Sequence, residues 1–90
     1  MRVPVALPVI INRRFKAEGL DLSESGIYIY TKTTLIPGNI VELSFELDGE
    51  KLNVHAEVQH SQPGVGIGLK FIGLPKETAK KIGKYIKAAQ

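Results

Sequence analysis

Up to residue 73 apolar and polar residues alternate with a period of two, and beyond it they recur at helical spacing. No other feature constrains the fold as much, because period two puts every second side chain on one face of a strand, whereas a period near 3.6 belongs to a helix. In "IVELSFEL" Val41, Leu43, Phe45 and Leu47 share one face, and Glu42, Ser44 and Glu46 share the other. "KLNVHAEVQH" repeats the pattern with Leu52, Val54, Ala56 and Val58 inward. The Asp48-Gly49 pair between these segments tolerates positive φ and suits a tight hairpin, so the two strands pair. "VGIGLKFI" alternates Ile67, Leu69 and Phe71 with Gly66, Gly68 and Lys70, which leaves outward positions without side chains, where a backbone or helix can approach closely. In "VPVALPVII" the residues Val3, Val5, Leu7 and Val9 are in phase. Pro4 and Pro8, on the other parity, confine this segment to a sheet edge or an irregular lead-in. "RRFKAEGLDL" and "GIYIYT" supply two more strands, and Pro37-Gly38 of "LIPGN" suits a type II turn.

Six short strands in series, with turns at regular intervals, predict a mainly β fold: a six-stranded antiparallel barrel, since closure removes exposed edges. After "GLP", Ala79, Ile82, Tyr85, Ile86 and Ala89 form a helical stripe, with Pro75 suited to the first helical position and lysines mostly on the opposite face. The 90 residues are read as a single domain, with the barrel over about 2–73 and the helix over about 75–89.

Composition narrows the function. With no cysteine, disulfides and thiolate metal sites are excluded. His55 and His60 lie five apart, on opposite faces under strict alternation and with no carboxylate pair beside them, so no metal site is assigned. No strained nucleophile turn of the G-x-S-x-G kind is present, and no catalytic residue or cofactor is assigned. "GVGIG" lacks the Lys-Ser/Thr pair and helix start of a phosphate loop. The net charge of +3 is uneven: residues 75–90 carry +4 and residues 1–74 carry −1. The helix lysines have no aromatics interleaved for base stacking, which argues against a nucleic-acid partner. No apolar run approaches a membrane span and the N-terminus is not built like a signal peptide, so no membrane insertion and a cytoplasmic location are expected.

The stretch "GLDLSESGIYIY" ends one apolar segment with Asp21 and Ser23 and opens the next with Gly26. A simple Asx or Ser turn would use these side chains to satisfy nearby backbone amides. The spacing D-x-S-x-x-G ahead of an apolar strand also resembles the second signature of the PilZ domain, a bacterial receptor module for cyclic di-GMP. "RVPVALPVII" is similar to that family's lead-in strand, "GNIVELSFEL" to its mid-domain strand, and "GVGIGLKFIGL" to its closing strand before a terminal helix. The likeness spans nearly the whole chain.

The resemblance implies a cyclic di-GMP site at Arg2, Asp21, Ser23 and Gly26, open at the surface with Asp21, Ser23 and Gly26 beside Arg2. An ionised Asp21 accepts hydrogen bonds only, and one carboxylate takes both guanine N1–H and the exocyclic amine. Ser23 donates or accepts, and Gly26 leaves room for a base or phosphate. The family's first signature, R-x-x-x-R, grips guanine and the phosphates with two guanidiniums. Arg2 stands where its second arginine falls, and the first would precede Met1. A charge-assisted contact is worth roughly 1.5–3 kcal/mol, so binding weaker than that of a relative with both arginines is expected. Arg13 and Arg14 belong to the next strand and are only possible auxiliary contacts. The resemblance thus implies a bacterial second-messenger receptor that transmits the signal to an unidentified partner protein; the alternative is a degenerate PilZ-like protein-interaction module that ignores the nucleotide.

Overall fold

A computed structural model describes all 90 residues. Six strands, β1 (Arg2–Ile11), β2 (Phe15–Ser23), β3 (Gly26–Tyr30), β4 (Ile40–Leu47), β5 (Glu50–Gln62) and β6 (Gly66–Ile72), precede one helix, α1 (Lys76–Ala88). Every pairing is antiparallel, and the order β1-β2-β3-β6-β5-β4 closes into a barrel. The closing seam is short: β1 meets β4 only through Ile10↔Ser44 and Ile11↔Leu43. Only the last two residues of this strand have partners on both sides; Pro4 and Pro8 lie in the stretch paired with β2 alone, the edge position that proline tolerates. Pro4 and Pro8 keep their outward parity, and the β1–β2 register shifts between Pro4 and Leu7.

The alternation read from the sequence holds through most of the barrel. Val9, Ile11, Leu22, Ile27, Ile29, Leu43, Val58 and their neighbours fill one continuous core of 20 buried apolar residues. Burial of this kind, at roughly 25 cal/mol per Å² of apolar surface, is the main force holding the strands in register. The Asp48-Gly49 hairpin forms with φ of 50° and 80°. Gly38, at φ 94°, takes the position of the Pro37-Gly38 turn that requires positive φ, and the Asn39 N–H closes that turn on the Ile36 carbonyl at 3.1 Å.

Two irregularities break the alternation. Between Gly19 and Asp21 the β2–β3 register gains a residue on β2, and between Val58 and His60 the β5–β6 register gains one on β5. Each is a β-bulge, which turns the residues beyond it onto the other face. The second one corrects the expectation for the histidines: His55 and His60 are both exposed on the outer surface.

Helix α1 caps one end of the barrel. Pro75 sits at its N-cap, one place earlier than expected, and Ile82 and Ile86 are buried. Tyr85 is half-buried, while Ala79 and Ala89, at the ends of the stripe, are exposed. Gly83 brings the helix against the β2–β3 turn, where an added Cβ would stand 3.2 Å from Glu24 Oε2. At the opposite end the β3–β4 connection closes the core with Leu35. No helix is long and apolar enough to cross a membrane.

Candidate ligand site

The candidate site lies at the helix end, where β1 begins and β2 ends. Cross-strand pairing sets Arg2 opposite Ser23 and Pro4 opposite Asp21, so residues nineteen apart in sequence become diagonal neighbours. The Arg2 guanidinium donates through Nη1 to Asp21 Oδ1. Both side chains reach solvent, at 54% and 34% exposure. Neither makes another side-chain hydrogen bond, so Oδ2 of Asp21 and the remaining Arg2 N–H groups are free to meet a ligand.

Asp21 faces outward because of the bulge. Ala17 and Gly19 point toward the core, and strict alternation would send Asp21 in after them. The extra residue on β2 puts Leu22 into the core instead and leaves Asp21 on the outer face, opposite Pro4 and Tyr28. An isolated carboxylate inside the barrel would be costly, and the bulge avoids it.

Ser23 and Gly26 behave differently from expectation: neither faces outward. Ser23 is buried, and its Oγ accepts the N–H groups of Gly26 at 3.1 Å and Ser25 at 3.3 Å. It also lies 3.3 Å from the Gly26 carbonyl and from Ser25 Oγ, so the hydroxyl is consumed by its own turn. Gly26 faces β6, where a Cβ would collide with the Leu69 carbonyl oxygen. Glycine is needed there for the approach of the neighbouring strand. Within D-x-S-x-x-G, the aspartate is the residue presented to solvent, while the serine and glycine shape the turn that presents it.

Arg13 and Arg14 are not part of this patch. They sit in the β1–β2 turn, separated from Arg2 by the ten residues of β1, which span roughly 30 Å at about 3.3 Å each. Arg13 Nε donates to Glu42 Oε1 at 3.0 Å, and Arg14 lies over the Phe15 ring at 5.3 Å.

The sequence reading missed Tyr28. It stands directly opposite Asp21 on β3, half-buried, with its ring centroid 6.2 Å from that of His60. Both rings lie over glycines of β6: a Cβ at Gly66 would strike Tyr28, and one at Gly68 would come within 2.5 Å of the His60 ring. The outward glycines therefore admit aromatic rings, in place of the backbone or helix that the sequence reading expected. Their spacing was the available signal, but the bulge that brings His60 over Gly68 is not written in the alternation. A concavity of about 860 Å³ lies elsewhere, along Pro8, Ile10, Arg13, Ser44, Phe45 and Asn53, and none of Arg2, Asp21, Ser23 or Gly26 lines it.

The chain is 33% identical over 75 residues to an uncharacterized protein of Aquifex aeolicus (strain VF5); the match covers 79% of this chain and 37% of that relative, so the chain spans little more than a third of its length. The crystal structure of the Legionella uncharacterized protein Lpg0364 superposes with a TM-score of 0.70 over 98% of this chain and 91% of that one, at 16% identity, which shows a shared fold. The family model for the PilZ domain, a ligand-binding module, matches residues 1–88, and the chain belongs to the PilZ domain family.

Proposed function

We propose that this chain is a cytoplasmic receptor that binds cyclic di-GMP on the outer face of its barrel, at Arg2 and Asp21, and passes the signal to a partner protein. The observation that carries the reading is the Arg2–Asp21 contact, which brings the remaining N–H groups of a guanidinium and a free carboxylate oxygen together on an exposed surface. Asp21 accepts the two donors on the guanine edge, and Arg2 donates to a phosphate or to the acceptors of the base. An ion pair this exposed is worth at most about 1 kcal/mol, so a ligand can share or replace it at little cost. Tyr28 gives the base a flat apolar neighbour beside the carboxylate. Ser23 and Gly26 contribute by fixing the turn. The reading assigns no catalysis and no cofactor.

One observation favours the alternative, a PilZ-like protein-interaction module that does not take the nucleotide: Ser23 and Gly26 are fully used by the fold, so the motif has a structural purpose without any ligand. Titration calorimetry with cyclic di-GMP separates the two. The receptor reading expects binding that weakens with salt, because the ligand carries two phosphate charges, and a loss of at least tenfold in Asp21→Ala. Absence of binding at millimolar ligand by a folded chain, including one extended so that an arginine stands four residues ahead of Arg2, would leave the interaction module in its place.

A further inference from the structure

We propose that the loop end of the barrel, opposite α1, is a second binding surface and that it rests against an anionic lipid surface. Segments 12–16, 30–40 and 59–66 contain the three connections at that end and the strand ends beside them. They hold Arg13, Arg14, Lys16 and Lys32 and none of the chain's nine acidic residues, while Glu18, Glu42 and Glu57 stand on the adjoining strands, across from Tyr30, Asn12 and Ile40. Arg13 is engaged by Glu42, while Arg14, Lys16 and Lys32 have no carboxylate partner. The same segments carry Phe15, Tyr30, Ile36, Ile40 and Val65, which are all of the exposed large apolar residues except Met1. Ile36, Ile40 and Val65 are 60%, 62% and 58% exposed. Single exposed apolar residues are ordinary on any surface, but their gathering at one end among unpaired cations is not.

These tips are held in place. Leu35 is buried beneath the loop, and the Gly38 N–H donates to the Val58 carbonyl at 2.8 Å while the Val58 N–H donates to Asn39 at 2.9 Å. Ile36 and Ile40 are therefore presented by an ordered loop, and little ordering entropy opposes their burial against a partner. Arg13 adopts φ 59° in its turn, an uncommon conformation for a side chain of its size, and stands at the same rim.

Charge complementarity fixes the sign of the partner, and shape selects its class. At this end every strand has a neighbour on both sides, so no free edge is offered to an extended peptide. The apolar residues stand on three separate connections and line no common groove. The notch found there, about 170 Å³, is lined mainly by Thr, Ser, Gln, Gly and Lys32. Apolar tips beside the unpaired Arg14, Lys16 and Lys32 suit a flat anionic surface, with side chains at the headgroup level and lysines and arginine drawn to the lipid charge. Helix α1 is also basic, but it exposes no large apolar residue, and its Lys81 is paired with Glu50.

The test is co-sedimentation of the chain with vesicles of phosphatidylcholine alone and of phosphatidylcholine with about 30% phosphatidylglycerol, at low and high salt. The expected result is binding to the anionic vesicles at low salt that falls sharply at high salt, with none to neutral vesicles. Replacing Arg14 and Lys32 by Gln lowers the partition coefficient about 25-fold, at about fivefold per charge removed. The Ile36→Ser/Val65→Ser pair, its fold checked by circular dichroism, lowers it as well, and Lys84→Gln/Lys87→Gln on α1 leaves it unchanged. A greater loss from the helix pair than from the loop pair would overturn the proposal. So would an absence of binding to anionic vesicles at low salt, which would make an acidic protein segment the occupant this face suits.

Discussion

At the helix end, Ile82 and Ile86 of α1 seal the barrel beside a turn whose Ser23 and Gly26 are consumed by backbone contacts, and two ion pairs form, Arg2 with Asp21 and Lys81 with Glu50, while Lys76, Lys80, Lys84 and Lys87 of the helix have no carboxylate partner. At the loop end one buried residue, Leu35, does the sealing, and around it stand unpaired cations and exposed apolar side chains. Both ends meet the same need, covering the mouth of a six-stranded core, yet only the helix end organises polar groups into a defined constellation. The difference teaches that closure of a barrel leaves its two rims free to diverge: one sets an exposed ion pair beside a closed turn, and the other presents apolar tips.

Substitutions can break or sharpen that contrast. The largest effect is expected at the seals. Ile82→Ala, at a position with no exposure, should cost about 3–4 kcal/mol in urea unfolding, and Leu35→Ala, at the edge of the core, about 2 kcal/mol. A greater loss at Leu35 would make the loop the main closure and reverse the comparison.

The glycines come next. Gly26→Ala forces its Cβ onto the Leu69 carbonyl, which can yield only by moving β6, and should cost about 2–3 kcal/mol. Gly66→Ala meets the Tyr28 side chain, which can swing aside, and should cost less. Equal losses in thermal unfolding would show that Gly26 is not uniquely tied to the neighbouring backbone.

Within the signature itself, Ser23→Ala should cost about 1–2 kcal/mol of stability, because it strips two turn amides of their acceptor. Asp21→Ala should cost less than about 1 kcal/mol, since its ion pair is exposed, while binding of cyclic di-GMP suffers. Stability and affinity should therefore part company between two residues two positions apart.

The smallest effect belongs to Lys81, whose pKa is raised above the ordinary lysine value, first by its hydrogen bond to Glu50. A raised folded-state pKa gives stability that is present below the unfolded value and lost as pH climbs through the folded one. The difference between the native chain and Lys81→Gln should be flat through neutral pH and shrink as pH climbs through the alkaline lysine range. Urea midpoints measured across pH check it.

The strands, the Asp48-Gly49 hairpin and the Pro37-Gly38 turn were legible in the sequence because each depends on neighbours in the chain. The bulges in β2 and β5 were not, since the extra residue is chosen by pairing with β3 and β6, far away in sequence. Those bulges decide the site: one turns Asp21 outward and the other lays His60 over Gly68. D-x-S-x-x-G could be found as a motif, but its division of labour depends on Leu69, which no local pattern reveals as the wall behind Gly26. Arg13 and Arg14 lie near Asp21 in sequence and at the far end of the barrel in space, because β2 runs the full length of the fold between them.

The most direct test of the claim that the helix end is the ligand-binding end is a backbone amide NMR titration with cyclic di-GMP. The account predicts shifts concentrated at residues 2–5, 19–28 and 68–70, saturating with ligand and absent in Asp21→Ala, with residues 12–15, 34–40 and 63–65 unmoved. Shifts centred on the loop end, or an unchanged pattern in Asp21→Ala, would contradict it.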